Sequence, residues 1–227
     1  MKIVHKDFEY NIKINEDRIN LIVIENKKAF LKYTEEIYNQ CNISDEMGDF
    51  VLSDDKGKEL KISKCIDIII DFYSIDINNK KILTKLYNQL SSIANENEMY
   101  IETGKINSRI IRYIDLIINE SDYPLEYNID FNISDLFKIT GIKFDISYEN
   151  TLEKICDYMD VSSRFLGKKI FVFVNIRTFF EKEEIIELYN FAKYNKIFII
   201  MIENEISYKI DEYENVFILD KDLCEIY

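Results

Sequence analysis

The chain has 227 residues, 47% of them hydrophobic. That excludes a disordered polymer and allows one large domain or a domain with an insert. Five Gly and one Pro are too few for a loop-rich all-β fold, and a formal net charge of −13 argues against whole-surface attraction to nucleic acid.

Four dispersed cysteines, Cys41, Cys65, Cys156 and Cys224, form no CxxC pair. They read as buried free thiols in a reducing cytoplasm rather than a zinc site or a disulfide framework. The single histidine, His5, reads as a surface residue of the N-terminal tail. That tail lacks the apolar core of a signal peptide, and no stretch reaches the roughly 18 apolar residues of a membrane span. The expectation is a soluble cytoplasmic protein.

In chain order, "FEYNIKI" and "RINLIVIE" flank the turn Asn15-Glu16-Asp17 and predict an N-terminal hairpin. "KKAFLKYTEEIYNQC" follows with helical spacing at Phe30, Tyr33, Ile37 and Cys41. A short strand is expected near Phe50–Leu52, and "CIDIII" is a compact β-branched run that predicts a buried strand. From Asn78 to Asn119 no strand signal appears. Ile82, Leu86, Leu90 and Ile93 mark one amphipathic helix; Ile106, Ile110, Tyr113, Ile114 and Ile117 mark a second. The polar break "ANENEM" separates them, and Pro124 closes the segment.

Alternation then resumes. "NISDLFKIT" predicts a helix capped by Asn132 or Ser134 and stopped by Gly141. "IKFDI" predicts a short strand, and "SYENTLEKICDYMDVSSRFLG" a helix ending at Gly167. "KKIFVFVN", "KIFIIMIE" and "NVFIL" predict buried strands, the first two separated by the helix "EKEEIIELYNFAKYN". Continuous apolar strands alternating with helices indicate a mixed, mostly parallel sheet covered on both faces. The expected domains are a head of residues 1–71 and 126–227 and a helical insert of residues 72–125.

"LIVIENKKAF" has the layout of a phosphate-binding strand, turn and helix. Its turn, Glu25 to Lys28, has no glycine to let backbone amides close around an anion and no Ser or Thr for magnesium. Lys27 and Lys28 could still touch a polyanion; the plain alternative is a turn with solvated lysines. "FVFVNIRTFF" ends a strand with Asn175 and Arg177, but no acid stands there to hold a metal, and Asn175 reads as a cap of the next turn. No catalytic constellation can be assembled.

The insert is more informative. Residues 72–125 carry seven acids and six bases, against thirty-five and twenty-three elsewhere. Lys105, Arg109 and Arg112 recur at i, i+4 and i+7, one stripe at about 100° per residue. Lys80, Lys81 and Lys85 add a cluster on the preceding helix. These bases, without local neutralisation, could follow a phosphate backbone, or could be a solvated helix face. A local stripe can act on an acidic protein because screening cuts off charges beyond about 8–10 Å. "NESDYPLEYNIDF" places Glu120, Asp122, Glu126 and Asp130 close together, a set that suits a hard cation such as Ca²⁺ or is simply an acidic loop.

Several segments together resemble a known family. They are "INLIVIENKKAF", "KCIDIIIDFYSIDIN", "YPLEYNIDFNISDLFKITGIKFD" and "KKIFVFVNIRTFFEKEEIIELYNFAKYNKIFIIMIE". Their order and spacing are similar to the type II-A CRISPR-associated adaptation proteins, the Csn-two family, over nearly the whole chain. The sharpest part is the lysine pair and strand before "FVN", with Phe179 and an acidic helix start after it.

The resemblance implies an α/β head shaped like P-loop ATPases without the phosphate loop, and a helical leg. It implies a homotetrameric ring that takes double-stranded DNA through free ends, held in its binding form by Ca²⁺ at the head–leg junction. It further implies a role in spacer acquisition beside the CRISPR integrase complex and the RNA-guided nuclease, with no enzymatic activity. Glu120, Asp122, Glu126 and Asp130 then become the metal ligands. Asn128 stands where the family has an acid, so either Asn128 or Asp130 would face the ion. Lys80, Lys81, Lys85, Lys105, Arg109, Arg112 and Lys138 become the DNA lining, with Lys27 and Lys28 as further contacts. The rival classes are a nucleotide-dependent enzyme of P-loop descent and an interaction scaffold without DNA binding.

Overall fold

The computed structural model describes residues 1–129 and 132–227. The chain divides into two compact units, Met1–Ile77 with Ser147–Tyr227, and Asn78–Ile146. The sequence reading had put the divisions at 72 and 125.

The first unit holds two sheets. Its larger one has six strands: β3 (Ile19–Ile24), β6 (Ile66–Ile69), β7 (Ile170–Val174), β8 (Phe198–Glu203), β9 (Glu214–Leu219) and β10 (Glu225–Ile226), in the order β10-β9-β3-β8-β7-β6. All neighbours are parallel except the β10–β9 pair, so the expected mixed, mostly parallel sheet is present.

Period-2 alternation assigns each apolar run to two cores. Ile22, Ile24, Val172 and Ile202 face one core with Tyr33 and Ile37 of α1 (Lys27–Asn42). Leu21, Val23, Phe171, Phe173 and Met201 face the other, covered by Leu152, Ile155 and Met159 of α6 (Thr151–Leu166) and by Ile185 and Leu188 of α7 (Lys182–Tyr194). A strand buried on both faces needs no polar alternation, which is why these runs read as continuous apolar stretches. α6 stops where expected: Gly167 takes a left-handed φ of 73°.

The smaller sheet is antiparallel, in the order β2-β1-β4-β5, from β1 (Lys2–His5), β2 (Ile12–Lys13), β4 (Phe50–Ser53) and β5 (Glu59–Leu60). Here the sequence reading is corrected. The segments around Asn15-Glu16-Asp17 do not form a hairpin: β2 pairs with β1, and β3 lies in the other sheet. Asn15 Oδ1 accepts from the amides of Asp17 and Arg18 and redirects the chain. β3 then gains a parallel neighbour on each edge. The expected strand over residues 65–70 is shorter, because a helical turn, α2 (Ile62–Cys65), takes its first residue.

The second unit contains α3 (Lys80–Ala94), α4 (Asn97–Asn119) and α5 (Ile133–Ile139). Asn79 caps α3 by accepting from the Lys81 and Ile82 amides, and Asn132 caps α5. The unit runs on to Ile146 because α5 and the chain after it fasten to α3. Asn78 pairs with both the amide and the carbonyl of Phe144, and the Tyr87 hydroxyl donates to the Ile142 carbonyl at 2.9 Å. These side chains supply what a sheet edge would have supplied, so the strand expected over residues 142–146 does not form.

Candidate nucleic-acid interface

The stretch after β3 shows what its turn can hold. Asn26 is the N-cap of α1, and its Oδ1 accepts from the Lys28 and Ala29 amides at 3.0 and 3.1 Å. Those are the amides a phosphate would take at a helix start, and the side chain already occupies them. The neighbouring cleft, about 480 Å³, has Glu25 and Glu205 opposite Lys27 and Lys221, so it carries no excess of positive charge. Lys27 and Lys28 are exposed beside it.

Asn175 does not cap the turn after β7, contrary to expectation. Its backbone is left-handed, with φ 53°, and its Oδ1 accepts from the Asn204 amide at 3.1 Å. Glu203 takes the capping place, its carboxylate accepting from the Arg177 amide at 3.3 Å. Burial pushes the Glu203 carboxyl up to about 7, against the pull of the Arg177 amide and guanidinium. The Arg177 side chain is buried too, ion-paired with Glu214, while Tyr189 Oη accepts from its Nη2 at 2.9 Å. This pair ties the chain after β7 to β9, a structural role.

The cysteines are all free, but not all buried. Burial pushes the Cys41 thiol up to about 12, whereas Cys224 is exposed. His5 is buried, not a surface residue, at 3% exposure. The sequence reading missed this because Glu36, Asp49 and Phe50, which gather around His5, are distant along the chain.

The basic residues of the helical unit are all at the surface. Lys80, Lys81 and Lys85 on α3, Lys105, Arg109 and Arg112 on α4, and Lys138 on α5 are exposed. Lys105 pairs with Glu102 at 2.6 Å and so is neutralised locally, unlike the reading from spacing, and Lys138 pairs with Asp135 at 2.8 Å. Exposed pairs of this kind are worth about 0–1 kcal/mol and open readily. The other five have no carboxylate within salt-bridge distance among the described residues. Cations without partners on adjoining helices suit phosphate contact, which needs charge rather than a shaped pocket.

Glu120, Asp122 and Glu126 are exposed on the chain leaving α4; Asp130 lies outside the described residues. Among the described residues the three do not meet as one ligating group. The group of three that does meet is His5, Glu36 and Asp49.

α4 has no buried residue over its 23 positions. Tyr113, Leu116 and Ile117 are each more than half exposed. No helix among the described residues is long and apolar enough to cross a membrane.

The fold defines the class: an α/β protein with a mostly parallel sheet and a helical unit inserted between β6 and β7. The family described as "CRISPR-associated protein (Cas_Csn2)" matches residues 42–223. The chain belongs to that family. A "CRISPR-associated protein Csn2" of Streptococcus agalactiae is 25% identical over 203 residues, 89% of this chain and 87% of the relative. A protein of the same description from Enterococcus faecalis is 22% identical over 202 residues, 86% of this chain and 90% of the relative.

Proposed function

We propose that this chain is a non-enzymatic, calcium-dependent ring protein that binds the ends of double-stranded DNA during CRISPR spacer acquisition. It works as a homotetramer in the cytoplasm beside the CRISPR integrase complex and the RNA-guided nuclease. The observation that carries the reading is the set of five exposed bases on α3 and α4 of a Csn2-family chain, Lys80, Lys81, Lys85, Arg109 and Arg112, which have no salt-bridge partner among the described residues. Lys105 and Lys138 join them once their weak pairs open, and Lys27 and Lys28 are outlying contacts. Backbone contact of this kind gives little sequence preference and strong salt dependence.

The strand and helix around "LIVIENKKAF" support descent from a P-loop ATPase shape, with the anion position filled by Asn26. That filling disfavours the nucleotide-dependent enzyme. Calcium acts structurally in this reading, held by Glu120, Asp122, Glu126 and Asp130 or Asn128. It neutralises carboxylates that otherwise repel one another and DNA.

The test is DNA binding by the triple variant Lys105→Glu, Arg109→Glu, Arg112→Glu, followed by fluorescence anisotropy beside sedimentation. Binding is expected to vanish while the oligomer persists. Undiminished binding would move the DNA surface off α4.

A further inference from the structure

His5 sits at the end of β1, whose register with β4 pairs His5 with Phe50 and so brings Asp49 alongside. On α1, Tyr33 and Ile37 face the core, and Glu36 stands between them at the edge of the buried face. Three separate parts of the chain thereby place a ring nitrogen of His5 and carboxylate oxygens of Glu36 and Asp49 within 4.8 Å of one another. The imidazole is held on its faces and edges by Phe8, Tyr33 and Phe50, with centroids 4.6–5.0 Å away.

A buried neutral imidazole needs one acceptor and one donor. Glu36 is the acceptor, 2.8 Å from Nε2, and the Asp7 amide donates to Nδ1 at 3.2 Å. The ring is then satisfied, yet two more carboxylates stand beside it. Asp49 is offset by the Lys6 ammonium at 2.5 Å, and Asp7 by Lys32 at 2.6 Å. Lys6 is well exposed, and an exposed pair of this kind is weakly held. Three carboxylates converging on one buried imidazole, two of them paired with exposed lysines, are the feature that a satisfied core histidine leaves unexplained.

We propose that His5 Nε2, Glu36 and Asp49 form a site for one divalent metal ion of the zinc class, with Asp7 orienting the ring. Imidazole with two carboxylates suits Zn²⁺, whereas Ca²⁺ takes only oxygens, so this site is chemically distinct from the acidic stretch after α4. In a tetrahedral shell with bonds of about 2.0–2.1 Å, ligand atoms lie roughly 3.4 Å apart. The exposed Asp49 closes that gap by turning from Lys6, and water fills the fourth position.

On binding, the Nε2 proton passes to solvent and solvent returns one to Nδ1, so the ring stays neutral and changes tautomer. The Asp7 amide, which now donates to Nδ1, turns aside, and the Asp7 carboxylate, whose Oδ2 is 3.9 Å from Nδ1, accepts in its place. A carboxylate on the far nitrogen is the usual partner of a metal-bound histidine. An ion here fastens β1, α1 and the start of β4 together. His5 and Glu36 lie before the residues that match the family, and the proposal stands independently of the DNA reading.

The experiment is a zinc titration of the full-length protein against a chromophoric chelator, in excess calcium so that oxygen-only sites are filled. In parallel, the ring signal of His5 is followed by NMR after histidine labelling; as the chain's one histidine it needs no assignment. The expected result is one Zn²⁺ per chain, a displaced His5 signal, and affinity weakened roughly tenfold or more in both Asp49→Asn and Glu36→Gln. Asp49 is exposed, so its variant should fold normally even if Glu36→Gln does not. Absence of saturable binding, an unmoved His5 signal, or full affinity in either folded variant would overturn the site.

Discussion

Glu203 ends β8 with its carboxyl buried, and burial pushes its pKa up to about 7. In the unfolded chain a glutamate releases its proton near ~4.3. Between these values the folded state keeps a proton that the unfolded state has lost. Stability from this group is therefore full below the unfolded value, falls as pH rises through the window, and levels off above about 7. Glu203→Gln removes the titration while keeping a neutral acceptor for the Arg177 amide. Urea unfolding of this variant is expected to lose much of the wild-type decline between pH ~5 and ~8, a gain of up to roughly 3 kcal/mol at the alkaline end. An unchanged slope would show that the carboxyl titrates elsewhere. Little of this was legible beforehand. Asn175 and Arg177 drew notice as residues after a buried strand, but their partners Asn204, Glu203 and Glu214 are fixed by strand neighbours distant in sequence. Residue-scale chemistry depends on tertiary placement, and His5 is the plainest case.

Elements were far more legible, because periodicity records burial. The spacing of Phe30, Tyr33, Ile37 and Cys41 predicts α1, and Gly141 and Gly167 mark their helix ends through positive φ. The failures share one cause: apolar runs say that a segment is buried, not what it pairs with. β3 pairs with β8 and β9 instead of turning back on β2. Residues 142–146 are apolar enough for a strand, but their backbone is taken up by Asn78 and Tyr87. β10 was missed because two residues carry no pattern, and the bidentate grip of Glu225 on the amides of Glu9 and Tyr10 is long-range. α4 is the element with most left over. Its Ile106, Tyr113 and Ile117 form an exposed apolar row next to the basic stripe. In the proposed tetramer that row is buried between copies, which would remove a surface of the kind isolated monomers seldom keep. Tyr113→Asp with Ile117→Asp is expected to lower the assembly state in sedimentation while helical circular dichroism is kept. A tetramer that survives both charges would place the contact on another element.

At the scale of the whole molecule, charge and function pull in opposite directions. A chain of net charge −13 repels DNA over most of its surface. In the proposed tetramer the exposed bases of α3 and α4 would act where several copies of them come together and screening hides the acids beyond. In the proposed ring, threading by a DNA end would meet that requirement, since the duplex would reach the bases without crossing the acids outside. The family was legible in the layout of segments along the chain, and the match over residues 42–223 shows it. The geometry of the cation stretch was not, because Glu120, Asp122 and Glu126 are exposed acids with no pattern that fixes an ion. The most direct measurement is a mobility shift of one plasmid, linear and covalently closed, each with calcium and with a chelator. The account predicts a complex with the linear form in calcium alone. A complex with the closed circle, or one that ignores the chelator, would contradict it.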